Sequence, residues 1–185
     1  EIAGFSSRGP YENFWDNTFV LKPDITAPGA ILCSARYDSI FPEGENPVYF
    51  PCLDNEHLQL AGTSMAAPVI SGVVALMQQK NPERSPEQIK SILKSTAKNI
   101  FQPLNAQGWG RVDVFEALQY SGIPPEAKIT KIDYYLEELS VFGFVKAENF
   151  QEYRISYSTS FENHNFQEIF RSSEVVVDSN TLYRS

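Results

Sequence analysis

One stretch constrains this chain more than any other: Gly62-Thr63-Ser64-Met65-Ala66-Ala67-Pro68, followed by Val69-Ile70-Ser71-Gly72-Val73-Val74-Ala75-Leu76-Met77. A turn-permitting glycine, two hydroxyl residues, two alanines and a proline lead into an almost unbroken apolar run. Proline fits the first turn of a helix, where its missing N–H would have no partner in any case. The pattern predicts a helix from Ser64 or Met65 to about Lys80, apolar on every face and therefore buried. One hydroxyl then stands at the positive end of a buried helix dipole, beside backbone N–H groups unused by the helix. Such a position serves a nucleophile whose reaction passes through an oxyanion. The plainer reading makes Thr63 or Ser64 a helix N-cap.

The neighbouring segments separate these readings. Gly62-Thr63-Ser64-Met65-Ala66-Ala67-Pro68 resembles the nucleophile motif of the subtilisin-like serine proteases (subtilases, peptidase S8). Phe5-Ser6-Ser7-Arg8-Gly9-Pro10 resembles that family's turn upstream of the serine. Lys22-Pro23-Asp24-Ile25-Thr26-Ala27-Pro28-Gly29 is similar to its strand and turn between the two. Gly108-Trp109-Gly110-Arg111-Val112-Asp113 resembles the Gly-x-Gly segment that closes its catalytic domain. The four segments stand in family order. Sedolisins share Gly-Thr-Ser and a later proline, but Met-Ala-Ala and Asp-Ile-Thr-Ala-Pro-Gly fit subtilases better.

The resemblance implies an α/β fold: the C-terminal part of a parallel-sheet catalytic domain around a buried central helix, followed by an antiparallel β module. It implies a serine endopeptidase that cuts polypeptide substrates through an acyl-enzyme on Ser64. The backbone N–H of Ser64 would be one oxyanion donor, and Gly62, Thr63 and Met65 would form the substrate and oxyanion neighbourhood. In this family the acid, the imidazole and an oxyanion-hole asparagine come well before the serine, and so would precede Glu1, in a missing N-terminal half. His57 and His164 lack the family's Gly-Thr-His setting and read as surface or loop residues; Asp24 and Asp54 are not triad acids. The chain thus reads as a fragment, inert by itself because triad members act as a unit. The resemblance also implies an extracellular or cell-surface location. It implies no cofactor held by these residues, although calcium is common in the longer family members. The alternative class is a catalytically inactive relative that keeps the fold for surface binding or adhesion.

Composition supports a folded chain and narrows its partners. Of 185 residues, 42% are hydrophobic and 21% charged, as in ordinary globular domains. The net charge of −8 argues against nucleic acid and anionic membrane surfaces as partners. No apolar run reaches the ~18 residues of a membrane span. Cys33 and Cys52 either close one disulfide, as a secreted protein allows, or remain two buried thiols.

Local signals organise the rest. Ile2–Ser6, Asp24–Thr26 and Ile31–Ala35 read as strands. Residues 36–57 read as a long connection that either borders the substrate cleft on the leaving-group side or is a surface excursion without a role. Ser85-Pro86-Glu87-Gln88 is a capping-box signature, with Ile89, Ile92 and Leu93 at helical spacing after it. Asp113-Val114-Phe115-Glu116 opens a further helix in the same way, with Asp113 capping and Glu116 returning. The first unit spans 1–122, and Gly122-Ile123-Pro124-Pro125 marks a linker over 123–127. From 128 to 185 the period becomes two: Lys128–Tyr135, Leu139–Lys146, Gln151–Ser158, Glu168–Arg171 and Glu174–Asp178 read as strands. Five strands make a partial sandwich of the immunoglobulin or fibronectin kind, which has roughly seven.

Overall fold

The eighteen residues Thr63–Lys80 form a continuous helix, α1, in the computed structural model, which describes residues 1–13, 18–36, 50–52, 56–160 and 165–185. Before α1 lie β1 (Tyr11–Asn13), β2 (Thr18–Val20), β3 (Leu32–Ala35), β4 (Phe50–Pro51) and β5 (His57–Leu60). After it come α2 (Pro86–Ser95), α3 (Leu104–Gln107) and α4 (Val114–Gln119). The chain closes with β6 (Glu126–Tyr135), β7 (Glu138–Lys146), β8 (Tyr153–Tyr157), β9 (Gln167–Ser172) and β10 (Val176–Arg184).

The helix boundaries have local causes. Ser85 Oγ accepts from Gln88 N–H and the Gln88 side chain accepts from Ser85 N–H, so the capping box of α2 is complete. Asp113 Oδ1 accepts from Glu116 N–H at 3.1 Å and caps α4. The start of α1 differs from expectation. It begins at Thr63, one residue early, so Pro68 falls in its second turn and cannot donate to the Ser64 carbonyl.

Two further expectations require correction. The described sheets are antiparallel, not parallel: β1 pairs with β2, and β3 and β4 each pair with β5, in opposite strand directions, a ladder that needs no crossover between neighbours. The parallel contact among the described residues is the Thr26–Arg111 bridge. Nor is α1 buried all round. Val73 and Met77, four residues apart on one stripe, are its buried residues, and Leu76 is 47% exposed. The reason is geometric. Ile89, Ile92, Leu93, Val112 and Ala117 cover that stripe, and Ile25 and Ala27 pack at its edge. The segment Ile2–Ser6 forms a turn, with Ser6 N–H donating to the Ala3 carbonyl, and Asp24–Thr26 is reduced to its bridge. In the long connection 36–57, residues 37–49 and 53–55, Asp54 among them, lie outside the described residues, while β4 and the first residue of β5 occupy part of the rest.

Two small sheets build the second core. β10-β7-β6 and β8-β9 enclose Val141, Val145, Ile155 and Leu182. The rings of Tyr153, Phe170 and Tyr183 stack along one side, with centroids 5.9 and 5.4 Å apart. Leu136 and Glu137 both have positive φ (49° and 69°), which joins β6 to β7 by the tight hairpin turn that matches strand twist. The stretch read as a linker is firmly held. Pro124 is fully buried, Ser91 Oγ donates to the Pro125 carbonyl at 2.6 Å, and Ile123 N–H donates to Glu148 Oε2 at 3.0 Å. Among the described residues no helix is long and apolar enough to cross a membrane, and no group of three or more His, Cys, Asp or Glu could hold a metal.

Candidate active site

The first turn of α1 is delivered by a strand and seated on a turn. β5 pairs with β3 up to Leu32–Leu60, and beyond the end of that ladder Gly62 N–H donates to the Gly29 carbonyl at 2.7 Å. Gly62 then carries φ 157° and ψ 161°, a conformation glycine adopts without strain. Its carbonyl accepts from Met65 N–H at 3.0 Å and Ala66 N–H at 3.4 Å, which closes the first helical turn. Gly29 lies so close that a methyl group there would meet the Gly62 oxygen at 2.7 Å and Ala66 Cβ at 3.0 Å. The close approach explains a small residue at that place.

Ser64 is the second residue of the helix and is exposed, as is Thr63, while Gly62 and Met65 are half-buried. The N-cap is Gly62, and no side chain caps the helix. Neither Thr63 nor Ser64 is therefore the capping residue. The Ser64 oxygen stands at the dipole-positive end of an eighteen-residue helix with solvent before it. Gly62, Thr63, Ala66, Ala67 and Ile70 line, together with Gly29, a cavity of about 880 Å³. Ser64 is not part of its wall.

The four motifs read from the sequence meet in space. Trp109 N–H donates to the Asp24 carbonyl, Thr26 N–H to the Gly110 carbonyl and Val112 N–H to the Thr26 carbonyl, at 2.8–2.9 Å. A methyl on Gly108 or Gly110 would strike the backbone of Pro23 and Asp24 or of Lys98, so both glycines are needed for this contact. Gly9 N–H donates to the Lys22 carbonyl, which brings in the first motif.

The remaining candidates fall elsewhere. His57 begins β5, opposite Ala35, exposed and seven positions before Ser64; it is a strand residue, not a loop one. His164 lies outside the described residues. Asp24 is bound to lysines: Lys94 Nζ sits 3.0 Å from Oδ1, Lys90 Nζ 3.2 Å from Oδ2, and Lys22 Nζ touches Oδ2 as well. Burial pushes its pKa up, but the hydrogen bonds from Lys22, Lys94 and Lys90 outweigh burial and hold the carboxyl well below its usual range. It is an anchor for α2 rather than a base. Cys33 and Cys52 form a disulfide. Two contributors were not singled out from the sequence: Gly29, whose signal was its place in a Pro-Gly turn, and the lysine trio around Asp24, which left no local signal.

Comparison with known proteins bears on these features. The subtilisin-like protease SBT1.9 of Arabidopsis thaliana is 41% identical over 118 residues, 64% of this chain and 15% of the relative. The minor extracellular protease Vpr of Bacillus subtilis (strain 168) is 35% identical over 125 residues, 64% of this chain and 14% of the relative. Among solved structures, fervidolysin from Fervidobacterium pennivorans, a keratinolytic enzyme related to subtilisin, is 36% identical. That match covers 52% of this chain and 15% of the other, with a TM-score of 0.42. The chain spans about one-seventh of the length of the curated relatives it matches. The model of the subtilase family matches residues 1–110, from the first turn through the glycine-rich segment paired with Thr26, and this chain belongs to that family.

Proposed function

We propose that this chain carries the nucleophile of a serine endopeptidase, and that the nucleophile is Ser64. The observation that carries the reading is the exposed Ser64 on the uncapped first turn of α1. Its Oγ attacks a peptide carbonyl and forms an acyl-enzyme, and its proton passes to an imidazole supplied from outside this chain. The Ser64 N–H, unused by the helix, is one donor to the oxyanion. Gly62 and Thr63 let the substrate backbone approach, and Met65 packs beside the nucleophile.

The apolar faces of α1 left open among the described residues, and the cavity beside Gly29, are where the remainder of the catalytic domain packs. That remainder supplies the parallel sheet, the acid, the histidine and the second oxyanion donor, and it makes α1 the buried central helix. The relatives' names support polypeptide substrates and, with the disulfide, an extracellular or cell-surface location. The reading asks no cofactor of these residues and leaves calcium to the longer protein.

A fluorophosphonate probe tests the assignment. The isolated chain should not label, the chain joined to the rest of its catalytic domain should label, and Ser64→Ala should abolish labelling. Labelling of the isolated chain at Ser64 would overturn the dependence on absent partners. Labelling of the joined protein that survives Ser64→Ala would overturn the nucleophile.

A further inference from the structure

Two strands flank β5, and they are held very differently. β3 pairs with it over four residues, Leu32–Leu60 to Ala35–His57, whereas β4 contributes two pairs, Phe50–Gln59 and Pro51–Leu58. So short a ladder gives little order by itself. In the order β3-β5-β4 the outer strands are not neighbours. Even so, Cys33 of β3 is bonded to Cys52, the residue directly after β4, with Cα atoms 6.1 Å apart. The bond straps the outer strands together across β5. β5 is also the strand that delivers the start of α1, through the Gly62–Gly29 hydrogen bond next to its last pair.

We propose that the Cys33–Cys52 bond is a positioning clasp for Ser64, and that its reduction slows that serine while leaving the helical core folded. This rests on the nucleophile reading above. The core beneath α1 contains no residue of β3, β4 or β5, so opening the clasp leaves Val73, Met77 and their partners on α2 and α4 in place. Cys33 is exposed, so a dithiol such as dithiothreitol can reach it. Its thiolate attacks one sulfur, the Cys33–Cys52 bond breaks, and a mixed disulfide forms. The second reductant thiol resolves that intermediate. Two electrons and two protons end on Cys33 and Cys52 as thiols, and the reductant leaves as its own disulfide.

The test uses the chain joined to the rest of its catalytic domain, oxidised and then reduced, beside a Cys33→Ser/Cys52→Ser variant. Backbone hydrogen exchange, fluorophosphonate labelling of Ser64, kcat and KM are read together. Reduction should deprotect Leu58 and Gln59, slow labelling and kcat by about tenfold or more, and leave KM and the α1 and α2 amides unchanged. Reoxidation should restore the wild type, and the double variant should stay slow and ignore the reductant. Unchanged exchange at Leu58 and Gln59, or an unchanged labelling rate, overturns the clasp. Loss of α1 and α2 protection along with labelling overturns it too, since the bond would then be a general stabiliser. No labelling in the oxidised form, with the exchange response intact, overturns the nucleophile reading instead.

Discussion

Replacing Gly29 with alanine probes how the helix start is held. The new methyl would lie 2.7 Å from the Gly62 oxygen and 3.0 Å from Ala66 Cβ. That oxygen cannot swing away alone, because it accepts the first two bonds of α1, from Met65 N–H and Ala66 N–H. Gly29 cannot retreat alone either, because its own carbonyl accepts from Gly62 N–H at 2.7 Å. Relief therefore separates the turn from the helix by roughly 0.5–1 Å, enough to forfeit much of their contact energy. Overpacking of this kind costs about 1–3 kcal/mol, and a weakened Gly62–Gly29 hydrogen bond adds about 1 kcal/mol. The stiffer unfolded chain of alanine returns about 0.4–1 kcal/mol. The net expectation is a loss of about 1–3.6 kcal/mol. Urea denaturation followed by circular dichroism measures it, with Gly4→Ala as the control, since a methyl at Gly4 meets nothing within 4 Å. In the joined catalytic domain, probe labelling of Ser64 should also slow, by about ten- to a hundredfold. A Gly29→Ala chain as stable as the Gly4→Ala control would refute the reasoning, because the helix start would not then be seated on this turn.

Other perturbations have expected outcomes of their own. Gly72 lies mid-helix with open space around it, so Gly72→Ala should raise the melting midpoint of the isolated chain by a gain of about 1 kcal/mol. In the joined protein the gain should vanish or reverse if the rest of the domain packs on that face. Asp24 titrates well below an ordinary carboxylate when folded, so its contribution is fully present above its unfolded value and is lost as pH falls from about 5. Asp24→Asn should flatten that acid limb in stability measured against pH, and an unchanged limb would remove the lysine anchor. Gln107 is buried and bonds Ile100 N–H, Asn99 Oδ1 and the Gln102 carbonyl. Gln107→Leu removes these three bonds and leaves Ile100 N–H without its partner, while Asn99 Oδ1 keeps its bond from Phe101 N–H, and should cost about 1–3 kcal/mol in urea melts. Peroxide should depress the activity of the joined enzyme by converting Met65 to its sulfoxide, and a Met65→Ala enzyme should resist it.

How much was legible in advance depends on how far each cause reaches along the chain. The caps at Ser85–Gln88 and Asp113–Glu116 join groups three residues apart: the first is the full box expected, while at the second Asp113 caps as expected and no return bond from the Glu116 side chain accompanies it. β6 to β9 were legible because their segments are rich in the Val, Ile, Phe and Tyr residues that favour strands. The end of β10 was not, since Val176–Arg184 runs on by pairing with β7, which lies more than thirty positions earlier in the chain. Pro68 pointed to a helix start one residue late, because a local rule could not weigh the pull of the Gly29–Gly62 bond. The apolar character of α1 was legible as composition, but its burial was not: Val73 and Met77 are its buried residues here, and which faces are covered depends on partners, not on the helix.

The residues by themselves determined the order of the four motifs, the two hydroxyls at a helix start, the caps and the change to strand periodicity after Pro125. All are interactions within a few positions, or patterns repeated along one element. Folding alone decided that Ser64 is open and uncapped, that Gly29 touches Gly62, that three lysines converge on Asp24 and that Cys33 bonds Cys52 across β5. Each of these joins groups far apart in the chain, and no local preference carries the free energy of such a contact. It arises only when the intervening residues have been ordered and water has been displaced from both partners.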